Sequence, residues 1–582
     1  MEIAVVPTYK DIFKEDPPEI KDLIADVPSK LGISLFSIIN AELFLGGNGE
    51  DTQLKIFKFI IQRFSYMQKR QLFKGISPYI KEGNNFISLF NIAYSTAFIE
   101  YELLNFRDFE IEDTNPDQEF RVFKSYLILI QNINEKDSKI FDEVPLEEIK
   151  KEEFFQVKTW PLIIKQFEFN YKVEPMFQAI KSIAMLDFLS KNSKTREYYN
   201  NFLLVVQKYS AWHYIFDFLE IVKVSFNYNN NLKFRNFSII VTPEFEPFLD
   251  FFSIDVNSFR ADKQLHIDYY GIKKKPLFRL QECTYIVMNW NFFYNQINLG
   301  LLFDFYNRSG IKHLYKKFPD FQNFIATHVS EDLLFKKLLN KSFKKGFNKV
   351  VFDDKSSDAL PDCYYREGKY IFLFEFKDYL IDKNVIHNAN YNEIKKYVDF
   401  KFICNQEGKS KGIRQILRQI KDLNVSPYYF DNFIEKGIKK RNIVIYPIIV
   451  YTNFFYSMPG LNNYLNNEFR AELNVYFSSD KFELGQVRDI TMIDLEFFYR
   501  NFLNLERGLI DFRKLINMYH ARLKAQTKKA SKSNDVNDFI KAFSSFDEMK
   551  SNNVNKKFPS GNRGFVESLL DTLDIMPSSN IL

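Results

Sequence analysis

From Leu35 to about Phe106 the apolar residues recur every three or four positions, as at Leu54, Phe57, Ile60, Ile61 and Phe64. That period predicts amphipathic helices for the first third of the chain. The helical pattern resumes after a charged stretch over residues 135–153, read as a solvated helix or a junction, and continues to about Val224. Between Phe226 and Leu280 the texture changes to short β-prone runs such as residues 237–242. Residues 276–280 and 285–288 predict a hairpin, with a helix starting near Trp290 and a loop at Ser309-Gly310.

Beyond that loop the pattern carries chemistry. Leu334, Leu338 and Leu339 predict a helix over residues 330–343, with Ser330 as its N-cap and Glu331 in its first turn. Residues 349–352 read as a strand and 360–365 as a second, and Arg366-Glu367-Gly368-Lys369 as the turn into a third over 370–377. This third strand is apolar on both faces until Glu375, the pattern of a strand in the middle of a sheet. Side chains alternate along a strand, so Glu375 and Lys377 share one face and Phe374 and Phe376 take the other. Buried charges are costly alone, so this pair needs a mutual contact, a metal ion or solvent. Pairing across the hairpin brings Asp362 towards Glu375. Two carboxylates and a carbonyl form a hard-oxygen site suited to Mg²⁺, with Mn²⁺ as a substitute. A lysine beside such a site can orient an attacking water or stabilise charge developing on a phosphoryl group.

Pro361-Asp362 followed by Glu375-Phe376-Lys377 resembles the signature of the PD-(D/E)XK nuclease superfamily, and the order of elements around it resembles that family's αβββαβ core. Residues 411–420 predict a helix that looks like the family's glutamine-bearing helix, with Gln415 rather than Gln419 as the site-facing amide, and 442–451 predict the strand after it. The likeness covers about a fifth of the chain, residues 327–452. It implies Asp362, Glu375 and the Phe376 carbonyl as metal ligands, Lys377 acting on the attacking water, and Glu331 and Gln415 assisting. Other Pro-Asp pairs, at Pro116-Asp117 and Pro319-Asp320, lack a hairpin leading to a Glu-x-Lys.

The fold expected is therefore an α/β nuclease core, a mixed central sheet flanked by helices, after a large and mainly helical N-terminal region with a small β-rich segment. The domains expected are 1–155, helical; 156–310, helical and β-rich; 311–525, the nuclease; and 526–582, a flexible tail with a short helix. Lys344, Lys345 and Lys349 on one side of the core and Lys409, Lys411, Arg414 and Arg418 on the other are the candidate phosphate contacts. The net charge of +5 is too small to argue for nucleic acid by itself, so any basic surface must be local.

Three cysteines without CxxC spacing argue against a disulfide framework or a zinc cluster and favour a reducing, cytoplasmic setting. Neither a signal peptide nor an apolar run of membrane-spanning length is evident. The 65 phenylalanines read first as a compositional bias and second as stacking platforms for single strands. The partner expected is DNA, double-stranded before single-stranded, with a homodimer or a protein partner left open, and the setting suggested by fold and composition is prokaryotic defence. A non-catalytic scaffold that keeps the fold, and a nuclease acting on RNA or on recombination or transposition intermediates, are the alternatives. The six histidines are scattered, without HExxH, and no GxSxG is present.

Overall fold

The computed structural model describes residues 6–81, 88–109, 115–142, 145, 153–227, 238–353, 360–404, 408, 410–479, 482–532, 536–548 and 563–576. Helices predominate, and a mixed sheet of six strands lies in the C-terminal half. In the N-terminal part the helices Ser29–Gly46 and Ile92–Leu104 pack face to face. Among the described residues Ser29–Gly46 is the one helix long and apolar enough to cross a membrane, a run the sequence pattern did not single out. Most of it, including Ile33, Phe36 and Ile39, is buried within the protein. The expected hairpin forms a small antiparallel sheet, β1 (Ser238–Ile240), β2 (Leu277–Gln281) and β3 (Thr284–Val287), in the order β1-β3-β2.

The larger sheet contains β4 (Lys349–Phe352), β5 (Cys363–Glu367), β6 (Tyr370–Lys377), β7 (Val444–Tyr451), β8 (Gln486–Val487) and β9 (Thr491–Asp494). β4, β5 and β6 form an antiparallel meander, β7 runs parallel to β6, and β8 and β9 pair in turn with the first and second halves of β7. The turn between β5 and β6 is Gly368-Lys369, with Gly368 at φ +58, a backbone region that a residue without Cβ enters freely.

β6 is central and buried on both faces, as its unbroken apolar run predicts. One face sends Phe372, Phe374 and Phe376 against Phe343, Phe512 and Phe335. The other sends Ile371 and Leu373 towards Ile413, Ile416 and Ile420 of the helix Gly412–Val425. Much of the phenylalanine excess is thus core packing.

Two expectations change. The helix does not begin at Ser330: consecutive helical segments run from Phe318 to Phe343, with a wide π-helical stretch over Ala326–Phe335. Pro319 sits in the first turn, where its missing N–H costs nothing, and Phe321, Ile325 and Val329 extend the buried stripe backwards. Ser330 is therefore buried mid-helix and Glu331 is not in a first turn. The second change is in the tail, expected to be flexible around one short helix: that helix is present as Arg563–Leu573, and residues 538–548 are packed as well. Phe546, Phe565 and Leu569 are buried, and Lys337 Nζ donates to Leu573 O at 2.8 Å. One apolar cluster holds Tyr9, Trp290, Phe374 and Leu569 together, so packing continues across the boundary expected near residue 310.

Candidate active site

The register Cys363↔Phe374 places Asp362, one residue before β5, opposite Glu375 near the end of β6. Asp362 Oδ2 accepts the Phe376 N–H at 2.6 Å, which fixes this carboxylate to the strand bearing the second one. On the face shared by Glu375 and Lys377, Lys377 Nζ donates to Glu375 Oε2 at 3.2 Å and to Gln415 Oε1 at 3.0 Å. Gln419 Nε2 donates to Glu375 Oε1 at 2.5 Å and to Leu360 O at 3.4 Å. The two glutamines are four residues apart on one face of the Gly412–Val425 helix, so that helix spans the two strand residues. Its first residue, Gly412, has φ +31, and a Cβ there would meet the Phe402 carbonyl oxygen at 2.7 Å. This close approach sets the helix on the sheet.

Glu375 and Lys377 are 1% and 6% exposed, so the ionic groups sit in low dielectric. Burial, reinforced by the neighbouring Glu375, pushes the Asp362 carboxyl up to about 7, against the opposing pull of Lys377 and the Phe376 N–H. Burial disfavours the Lys377 ammonium, but Glu375 and Asp362 outweigh it and hold its pKa above the ordinary lysine range. Beside these carboxylates Lys377 is held as a cation, suited to donating hydrogen bonds and stabilising negative charge.

Of the residues expected at this site, Asp362, Glu375, Phe376, Lys377 and Gln415 converge. Glu331 stands at the margin, paired at 3.2 Å with Lys336, which also contacts Asp332 at 2.9 Å and the Asp353 carbonyl at 3.3 Å. One participant was ranked second and one was missed. Gln419, ranked behind Gln415, is the amide that touches Glu375. Asp353, directly after β4, donates its N–H to Asp362 O at 3.3 Å, and its charge adds to the raising of the Asp362 pKa. Extending the β4–β5 register by one residue past Phe352↔Cys363 would have found it.

The phosphate contacts divide. Arg414 and Arg418 lie on the helix that carries the glutamines and Lys411 caps its start, although Arg414 is engaged by Glu472 at 2.8 Å. Lys409 lies outside the described residues. Lys349, with Lys344 and Lys345 before it in the chain, is at the opposite end of the sheet: Lys349 pairs with Arg366 and Arg366 with Ile371, four residues below Glu375. At the rise of a strand that is about 13 Å from the carboxylates. The antiparallel direction of β4 explains this, because its start lies where β5 ends.

Among the described residues no three His, Cys, Asp or Glu side chains form a ready metal cage. The donor set nevertheless suits a hard divalent cation. Half-buried Asp362 and buried Glu375 lie beside one ammonium, and among the described residues Gln419 Oε1 and Asp353 Oδ1 are buried oxygens without a hydrogen-bond partner. Mg²⁺ is commonly held by one or two carboxylates, with water and substrate phosphate completing its shell. Compared with models of known protein families, with curated proteins and with solved structures, the chain matches none.

Proposed function

We propose that the chain is a divalent-metal-dependent nuclease acting on DNA, with a core of the PD-(D/E)XK kind. The observation that carries this reading is the charge imbalance at the end of β6: Lys377 pairs with Glu375, and Asp362, opposite Glu375, feels that same ammonium only through space. A buried carboxylate without a cation of its own keeps a desolvation penalty that a bound metal ion would relieve. The order of elements supports the same reading: helix, β4, β5, β6, glutamine helix, β7. Two short helices, Lys383–Asn388 and Tyr391–Phe402, are interposed before the glutamine helix, a departure from the minimal core.

Asp362, Glu375 and the Phe376 carbonyl would hold Mg²⁺ or Mn²⁺. When bound, the ion supplies Lewis-acid polarisation of the phosphoryl oxygens and acidifies a coordinated water. The protein's own groups do the rest. Lys377 keeps its proton and directs it at the attacking water or the charged phosphoryl oxygens. Gln415 accepts one N–H of that ammonium and so fixes its direction. Gln419 fixes one Glu375 oxygen, leaving Oε2 towards Lys377. Incubation of the full chain with duplex DNA, single-stranded DNA and RNA, each with Mg²⁺ and with chelator, tests the reading. Metal-dependent cleavage of DNA is expected, and the absence of cleavage on all three would overturn it.

A further inference from the structure

The loop that follows the glutamine helix carries an aromatic side chain with no role in the core. Tyr429 is 86% exposed, while its neighbours are locked in place. Tyr428 and Phe430 stack at 5.2 Å, and each packs edge-on against Tyr364 of β5, at 5.7 and 5.2 Å. One residue further on, Asp431 is clamped by Arg366, by Lys436 at 2.8 Å and by the Tyr364 hydroxyl at 3.0 Å. Tyr429 is thus an exposed ring on a rigid base, touched only edge-on by Phe430. The loop is also tied to the catalytic face, because the Tyr428 hydroxyl reaches the carbonyl of Gln419, whose amide holds Glu375. Arg418, one residue before Gln419, is close enough to the Tyr428 hydroxyl and to the Asp422 carboxylate to act on both through its charge, and among the described residues its Nε is buried without a hydrogen-bond partner. A guanidinium close to Tyr428 and an exposed ring one residue further along the loop offer groups for the two parts of a nucleotide: phosphate for the cation, base for the ring.

We propose that Tyr429 is a stacking platform for an unpaired base of the strand that enters the Asp362–Glu375 site, with Arg418 holding a phosphate of the same strand. This rests on the nuclease reading and sharpens its substrate class: DNA with unpaired nucleotides beside the point of cleavage, such as an overhang or a fork. Bases inside a duplex already stack on one another, so an exposed ring has a full face to offer only to one that is unpaired.

The test uses the full chain with Glu375→Gln to silence cleavage, and measures binding of labelled oligonucleotides, single-stranded, blunt duplex and duplex with an overhang. Tyr429→Ala should weaken binding of the single strand and of the overhang by about fivefold to a hundredfold. Tyr429→Trp should retain it, and blunt duplex should change less than about twofold. A 2-aminopurine in the overhang should lose fluorescence on binding to the parent and keep it with Tyr429→Ala. If the parent binds these oligonucleotides and Tyr429→Ala binds all of them equally well, or loses all in the same proportion, the stacking role is overturned and the nuclease reading stands. If the parent binds none of them, both fall.

Discussion

The two ends of the β5–β6 hairpin both bury a carboxylate, and they treat it in opposite ways. At the turn end Asp431 is 2% exposed and accepts hydrogen bonds from Arg366, Lys436 and Tyr364. Burial alone would raise its pKa, but those partners outweigh it and hold the carboxyl down at about 2. At the other end Lys377 pairs with Glu375 and acts on Asp362 only through space, and Asp362 is pushed up to about 7. Burial is common to both, and the number of cations is what differs. A satisfied cluster braces the fold, whereas a cluster short of positive charge keeps a penalty that only a further cation or a proton removes.

The largest effects should come from the deficient end. Chelation should abolish cleavage, and Lys377→Ala should cost a hundredfold or more in rate, about the loss seen when one transition-state donor is removed. Single-turnover cleavage assays on a variant with an unchanged melting temperature check this, and near-normal rates would remove Lys377 from the mechanism. The braced end should instead answer in stability: Asp431→Asn, which strands a buried Arg366, should destabilise by about 3–5 kcal/mol. Asp362→Asn in metal-free protein should cost far less, because it relieves the repulsion with Glu375 and leaves Lys377 its partner; chemical denaturation of both variants makes the comparison.

The two ends should also have opposite pH slopes. Folded Asp362 binds its proton more tightly than the unfolded chain does, its ordinary value being 3.8. Metal-free stability should therefore fall as pH rises from 3.8 to about 7, and level off above that. Asp431 contributes fully above 3.8, and its contribution is lost as pH falls towards about 2. Denaturation midpoints across pH for Asp362→Asn should lack the decline on the neutral side, and an unchanged decline would assign it to other groups. The smallest effect concerns phosphate contacts. Arg418→Ala should weaken DNA binding and lower its salt dependence, while Lys349→Ala, at the braced end, should change affinity less than about twofold. Equal losses would mean that DNA runs along the whole hairpin.

What was legible in the sequence follows from what is local. The apolar run of β6, its paired charges and the Gly368 turn all depend on neighbours in the chain, and strand alternation put Glu375 and Lys377 on one face as found. The glutamine helix was visible from Ile413, Ile416 and Ile420, but its rotation is set by the close packing of Gly412 on Phe402, so the order of Gln415 and Gln419 could not be read. Asp353 and the far-end position of Lys344, Lys345 and Lys349 depend on strand direction, which composition does not encode. The helix start at Phe318 was hidden because Pro319 reads as a breaker unless it is known to fall in a first turn.

The most direct test of the central claim is cleavage of supercoiled plasmid by the full chain in Mg²⁺, alongside Glu375→Gln matched for thermal stability. The account predicts nicking or linearisation by the wild type, none with excess chelator, and none by Glu375→Gln. Equal cleavage by the two proteins, or full activity of the wild type in chelator, would contradict the claim that the unbalanced carboxylates at the end of β6 are a metal-dependent catalytic centre.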